Sequence, residues 1–512
     1  MRLKKIEKRN KSRFGPVIEL IVCCIFFALA VCLAAVCAWI KETFGIGFTE
    51  LLYTLVSPLN GSDDSTVRSC LHSCIPALKI VIVYIIIAII IYCIQRTCSV
   101  VLKIGLLFRA VRINILSVIR HVMAIISVVS LILSVRYIDR SLQIGEYIVS
   151  RSNPTTIYEN YYVDPNSVNI TTNGKTKNLI YIYLESMETT YASKEIGGWQ
   201  LENNYIPNLT ALAQENISFS NTVRLGGFRS IEGTGWTLGS LFATTSGIPY
   251  AFPVEGNSMN KYQNFASGVT SLGDILEKQG YQNEFLCGSD GDFAGRKSYF
   301  LQHGNYEVFD LFTAREEGYI AEDYAVWWGY EDEILYRIAK DELRRLANTH
   351  EPFNFTMLTV DMHHVGGYIC NLCGDDYDSG IENVIACADR QVAEFVRWCQ
   401  EQDFYKDSVI VISGDHPRMD HCLVEEVDYY DRTVYNCILN CDLRGRTESR
   451  EFTAMDMLPT VLNAMGFQVE GDRLGLGVNL FSDQKTLCEI LGYETFDQEL
   501  RKYSNYYVKH FT

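Results

Sequence analysis

The sequence predicts an α/β fold, with N-terminal transmembrane helices followed by a domain built on a largely parallel central sheet. Three observations lead there. Long apolar stretches crowd the first third of the 512 residues, and acidic residues crowd the remainder. From Asn178 onward, short β-rich apolar runs alternate with helical stretches, the pattern of a parallel sheet covered by helices. Several of those runs end on a carboxylate, an imidazole or a guanidinium, and open parallel sheets bind their ligands at that edge.

In chain order, Met1–Arg13 is strongly basic, MRLKKIEKRNKSR. Residues 17–40 are apolar except for Glu19, long enough for a bilayer crossing of about 20 residues. A cleaved signal peptide would be shorter and would not precede further spans. Here residues 76–94 and 113–135 supply two more. Arg120 and His121 in the third either snorkel toward the interface, the favoured reading, or line a polar spot. The short apolar stretch Ser99–Phe108 is expected to lie on the membrane surface as a helix. Residues 1–138 thus form the membrane region. The polar stretch 139–177, with Asn153-Pro154, Asp164-Pro165 and Asn173-Gly174, reads as a linker.

Residues 178–512 form the soluble domain. Its strands are expected at 178–184, 284–287, 353–360, 408–412 and 435–439, as short apolar runs of buried-sheet character. Helices are expected at 269–278, 331–346, 383–401 and 455–464. One further helical run, Leu238–Thr244, sits inside GTGWTLGSLFATTSGIP at Gly233–Pro249. A glycine-rich turn leads into it, and Ser246, Gly247 and Pro249 end it.

The net charge of -16, with no compensating basic domain, argues against nucleic acid as a partner. Of the 17 cysteines, Cys23, Cys24, Cys32, Cys37 and Cys93 lie in apolar runs and read as small hydrophobes. Cys370 and Cys373 form a CxxC without a second CxxC, so a local disulfide outside the cytoplasm fits better than zinc.

The chemistry collects after the strands. Glu185 follows the first, Asp361, His363 and His364 follow 353–360, and Asp415 and His416 follow 408–412. Asp290 and Arg296 follow 284–287. A carboxylate ending an apolar strand is costly unless it has a partner. Glu185, Asp415 and His416 together suit a divalent metal, whereas a helix cap or salt bridge explains each one singly. Thr237, ahead of its helical run, is either an ordinary N-cap or a hydroxyl that the helix N-terminus and a metal activate as a nucleophile. His363 and Arg296 are placed to hold phosphate oxygens.

The set LES at Leu184–Ser186, GTGWT at Gly233–Thr237, TVDMHH at Thr359–His364 and SGDH at Ser413–His416 resembles the lipoteichoic acid synthase and membrane-bound phosphoglycerol transferase family. That family lies within the alkaline phosphatase and sulfatase superfamily. The GTGWT and GIP pairing is most similar to the branch acting on envelope oligosaccharides. The resemblance runs over roughly residues 178–483 and implies a sulfatase-like catalytic domain. It implies one Mn²⁺, with Mg²⁺ or Zn²⁺ as alternatives, held by Glu185, Thr237, Asp415 and His416. It also implies a covalent phosphoglycerol on Thr237, and substrate contacts from His363, Arg296 and Asp290. The implied donor is phosphatidylglycerol, and the implied acceptor is an envelope glycan, a glycolipid or a glycerolphosphate chain. Three spans rather than five, and Leu238-Gly239 after Thr237, depart from the synthase pattern, so a glycan acceptor fits as well as a growing chain. The rival readings are a phosphoethanolamine transferase, a two-metal phosphodiesterase and a sulfatase. The sulfatase lacks its C/S-x-P-x-R run around Thr237.

The basic N-terminus, and Arg96, Lys103, Arg109 and Arg112 between spans two and three, belong in the cytoplasm by the positive-inside rule. The expected protein is a multi-pass cell-membrane protein with an extracytoplasmic catalytic domain. Protease added to intact, wall-stripped cells should therefore digest the domain beginning at Asn178. Protection of that domain would reverse the orientation.

Overall fold

The computed structural model describes the chain except residues 1–3, 6–13, 45–47, 49–50, 53–63, 98–99, 107–108, 173, 253–264, 421–422, 425–426 and 429–430. Most of the basic N-terminus and Asn173 of the expected Asn173-Gly174 turn lie outside the described residues. Two compact units emerge, one of Met1–Phe48 with Asp64–Glu146 and the other containing Tyr147–Thr512.

In the first unit, helices α1 (Phe14–Phe44), α2 (Ile75–Thr97) and α3 (Ile115–Leu142) are long and apolar enough to cross a membrane. Polar side chains join them where lipid offers no partner. Ser127 and Ser134 of α3 donate to the Cys23 and Ala30 carbonyls of α1, at 2.9 and 2.7 Å. Arg120 does not snorkel: its Nε lies 2.7 Å from Glu19 Oε2, because a neighbouring helix offers the opposite charge. The expected surface helix is also absent. Val100–Leu106 is a strand paired antiparallel with Arg109–Asn114, and Ser99, Leu107 and Phe108 lie outside the described residues. The β-branched run Val100-Val101 favours a strand.

The stretch read as a linker is structured from Tyr147 onward and belongs to the second unit. Thr155 donates to Glu499 at 2.6 Å, and Ile170–Thr172 pairs with Phe467–Val469. Tyr158 is buried against Tyr507 and Phe511. The turn read at Asp164-Pro165 is present, closed by the Ser167 N–H donating to the Asp164 carbonyl at 2.9 Å, but Ile157 and Tyr158 ahead of it had a core to join.

The second unit is organised by β1 (Asn178–Leu184), β2 (Gln282–Cys287), β3 (Glu307–Phe309), β4 (Phe353–Leu358), β5 (Ser408–Gly414) and β6 (Asn436–Leu439). They form one sheet in the order β6-β5-β1-β4-β2-β3, parallel except for β6. The central strands are apolar on both faces because helices cover both. Leu179, Tyr181 and Tyr183 face α4 (Thr237–Ser246), α5 (Leu272–Lys278) and α8 (Met457–Ala464). Ile180, Ile182 and Leu184 face α6 (Asp332–Thr349) and α7 (Gly380–Gln400). The even and odd side chains of one strand thus build two separate cores.

The carboxyl ends are held from behind by a buried charge network. Arg432 Nε donates to Glu188 Oε2 at 2.7 Å, and its Nη2 pairs with Glu188 Oε1. Arg432 Nη2 also donates to the Arg418 carbonyl at 2.7 Å. Arg418 Nη1 donates to the Met362 carbonyl at 2.6 Å, and its Nε to Asp420 at 2.7 Å. The loops after β1, β4 and β5 are thereby tied to one another. Arg432→Met leaves Glu188 buried and unpaired, a loss of about 3–5 kcal/mol. Chemical denaturation of the full chain in detergent should show it, with a smaller loss for the double variant Glu188→Gln/Arg432→Met. An equal loss in both would show that Arg432 acts through packing alone.

Candidate active site and metal centre

Register brings the site together. Gly414 of β5 pairs in parallel with Leu184 of β1, so Glu185 and Asp415 leave adjacent strands at the same level. Leu358 of β4 pairs with Tyr183 and with Cys287 of β2, which adds the loops of His363 and of Arg296 to the same edge. Gly414 is required at its position: a Cβ there would lie 2.0 Å from the Met187 carbonyl oxygen.

Glu185, Asp415 and His416 are all buried, and one ligand atom from each lies within 4.8 Å of the others. The Ser186 hydroxyl donates to Glu185 Oε1 at 2.7 Å. The Glu185 amide donates to Thr359 Oγ1 at 2.9 Å. Asp415 Oδ1 accepts from the Ser186 and His416 amides at 2.7 and 2.8 Å, whereas its Oδ2 is buried without a hydrogen-bond partner. His416 Nδ1 lies 2.8 Å from the Pro417 carbonyl. A carbonyl only accepts, so Nδ1 carries the proton, leaving Nε2 as the ligand atom of the neutral ring. Two carboxylates, one orphaned buried oxygen and a pre-set imidazole fit a divalent cation.

Thr237 Oγ1 completes the set, 3.4 Å from both Glu185 Oε2 and His416 Nε2. Its hydroxyl is not the helix cap: α4 begins at Thr237, the N-cap position is Trp236, and no side chain caps the end. Gly239 keeps this first turn compact, since a Cβ would sit 2.8 Å from the Gly233 carbonyl oxygen and 2.9 Å from Trp236 Cε2. The nearby Thr234 is consumed by its own turn. Its Oγ1 donates to the Ile231 carbonyl at 2.8 Å and accepts from the Ile231 amide at 2.9 Å.

The expected substrate contacts sit around this core. His363 Nδ1 lies 2.6 Å from the His364 carbonyl, and the ring packs on Trp328 at 4.6 Å. Burial pushes its imidazole below the ordinary histidine range, despite the Glu185 charge. Arg296, buried at the start of a short helix, donates from Nη2 to Ser289 Oγ at 2.9 Å and to the Asp290 carbonyl at 2.8 Å. Its charge reaches Glu185. Asp290 Oδ1 accepts from the Asp292 amide at 2.9 Å, which ties this carboxylate to its own loop. Sequence reasoning missed Trp328, which packs on His363 and on Phe293, beneath the Arg296 guanidinium. Its buried Nε1 has no hydrogen-bond partner. Nothing local marks Trp328 out from Trp327.

A family model described as Sulfatase matches residues 177–467. The chain belongs to the sulfatase family. It is 34% identical over 328 residues to a phosphoglycerol transferase I of Salmonella choleraesuis (strain SC-B67), covering 61% of this chain and 40% of that protein. It is 31% identical over 308 residues to a phosphoglycerol transferase I of Xanthomonas euvesicatoria pv. vesicatoria (strain 85-10), covering 57% and 42%. The match thus spans about two fifths of the length of these relatives. A Vibrio parahaemolyticus protein of the alkaline phosphatase superfamily shares the fold, with a TM-score of 0.50, 21% identity, and coverage of 68% of this chain and 80% of that one.

Burial, and then the Glu185 charge, push the Asp415 carboxyl up to about 7. Burial works against the Glu185 charge, but His363, His416, Ser186 and Arg296 outweigh it and hold Glu185 below its usual range. A cation must displace the Asp415 proton, so affinity is full above that pKa and falls as pH drops below it. After chelation, the divalent-cation concentration that half-restores activity should rise as pH falls below about 7, because protons compete with the cation on Asp415 and on His416, whose imidazole burial lowers but the Asp415 and Glu185 charges push up on balance. A flat profile between pH 5.5 and about 7 would remove Asp415 from the ligand set.

Proposed function

We propose that this chain is a membrane-anchored phosphoglycerol transferase. It moves glycerol phosphate from phosphatidylglycerol, through a phosphothreonine at Thr237, to an envelope glycan or glycerolphosphate acceptor. The observation that carries the reading is Thr237 Oγ1, uncommitted to helix capping and set 3.4 Å from both Glu185 and His416. The phosphoglycerol transferase relatives support the choice of head group. The three apolar helices support a catalytic domain held at the membrane where its lipid donor lies, and the basic residues of Met1–Arg13 and between the second and third apolar stretches support the extracytoplasmic side for that domain.

A divalent ion held by Glu185, Asp415, His416 and Thr237, which we take as Mn²⁺, favours the threonine alkoxide and offsets charge on the phosphoryl oxygens. In the first half-reaction, Thr237 Oγ1 attacks phosphorus in line. The Oγ1–P bond forms, the P–O bond to diacylglycerol breaks, and the threonine proton ends on the diacylglycerol hydroxyl. In the second, the acceptor oxygen bonds phosphorus, the bond to Thr237 breaks, and the acceptor proton returns to the threonine. Arg296 and the α4 N-terminus favour the anionic phosphoryl group. His363, neutral through burial, is the proton carrier, with Nδ1 committed to the His364 carbonyl and Nε2 available. Trp328 Nε1 offers a further donor to the head group.

Thr237→Ala should abolish release of diacylglycerol from labelled phosphatidylglycerol. Thr234→Ala should only weaken it, because that hydroxyl serves the turn. Mass spectrometry of protein quenched with donor and no acceptor should find phosphoglycerol on the Thr237 peptide. An adduct on Thr234, or cleavage surviving in Thr237→Ala, would overturn the nucleophile. Turnover of phosphatidylethanolamine instead would reassign the head group.

A further inference from the structure

The loop 361–379 and the helix that follows it hold a second cluster of ligand-type side chains, distinct from Glu185, Asp415 and His416. Cys370 Sγ lies 3.7 Å from Cys373 Sγ and 3.7 Å from Cys387 Sγ. All three sulfurs fall within 4.8 Å of one another. These separations far exceed a disulfide bond of about 2.05 Å. They match the sulfur–sulfur spacing of about 3.8 Å that a tetrahedral ion with bonds of about 2.3 Å to thiolate imposes. The local disulfide that the CxxC suggested is therefore not formed here. The third thiol comes from α7, 14 residues beyond Cys373, a spacing no local motif reveals.

Simple packing brings two sulfurs this close, but it gives no reason for donors to be aimed at them. Cys370 and Cys373 share one turn, closed by the Cys373 N–H donating to the Cys370 carbonyl at 3.2 Å. Gln391 Nε2 donates to Cys387 Sγ at 3.4 Å. Such donors form the outer layer of metal–thiolate sites. Asp361, on the same loop, has both carboxylate oxygens buried without hydrogen-bond partners.

We propose that Cys370, Cys373 and Cys387 bind a thiophilic divalent cation of the zinc class. Cys370 and Cys387 are buried and Cys373 is partly exposed, so solvent supplies the fourth ligand and the entry path on the Cys373 side. The ion fastens the loop bearing His363 to α7. It acts on the active site by positioning that loop, and the proposal stands apart from the assignment of Thr237.

The test uses the full chain, purified in detergent under reducing conditions and loaded with Co²⁺. Thiolate-to-metal charge-transfer absorption should appear, persist in Asp415→Ala and vanish in Cys387→Ser. If Cys387→Ser fails to fold, an organomercurial titration of the zinc-loaded native chain decides: release of about one zinc per chain as the thiols react is the expected result. Three results would overturn the proposal: no charge-transfer band in the native chain, no metal released by the mercurial, or a Cys370 disulfide to Cys373 or Cys387 in protein alkylated directly from membranes.

Discussion

The parallel pairing of Ser408–Gly414 with Asn178–Leu184 is the constraint on which the rest depends. It sets Gly414 against Leu184 and so delivers Glu185 and Asp415 side by side, from strands far apart in the sequence. Neighbouring strands are about 4.8 Å apart, which is the separation at which two carboxylates can share one cation. A slip of one residue would turn each strand's side chains to the opposite face and carry one carboxylate away. The slip is prevented by the two cores, because Tyr181 and Tyr183 belong to one face and Ile180 and Ile182 to the other. Catalytic geometry is thus secured by apolar burial several residues away, at about 1.5–3 kcal/mol for each large side chain.

The second layer of organisation is electrostatic. Glu188, Arg418, Arg432 and Asp420 form a buried network directly behind the metal-type cluster, and Arg418 reaches the main chain of the loop that carries His363. Charges are costly to bury, and such a network holds only when every member is matched. Here it links three loops that otherwise share no regular structure. The Tyr183 hydroxyl, 2.7 Å from Thr244 Oγ1, does similar work for α4 and keeps the Thr237 end of that helix over the sheet edge.

Much of the fold was legible in the sequence. The first central strand was read with its observed limits and four more to within about two residues, because each is a short apolar run; the three-residue edge strand β3 (Glu307–Phe309) carries too short a pattern and was not read. The three helices long and apolar enough to cross a membrane followed from the length of their apolar runs. The readings that failed have physical reasons. Arg120 was judged by its own position in a span, and only an adjacent helix reveals that Glu19 pairs with it. Residues 147–177 looked like a linker because turn residues punctuate them, yet Tyr158 is buried and Tyr162 partly buried among C-terminal aromatics.

At the site, the sequence by itself determined which chemistry is present. Carboxylates and imidazoles that terminate apolar strands have few stable uses, and that alone singled out Glu185, Asp415 and His416. Tertiary structure decided everything that rests on distance between remote segments. It set the Thr237 hydroxyl, already favoured by its place ahead of a helical run, against the cluster and left that of Thr234 closing a turn. It turned the Asp290 carboxylate to its own loop and brought Trp328 against His363. It also gathered Cys387 to the CxxC. The physical reason is common to all of these: a residue's type and its neighbours in the chain set its intrinsic chemistry, but its partners are chosen by strand register and helix packing.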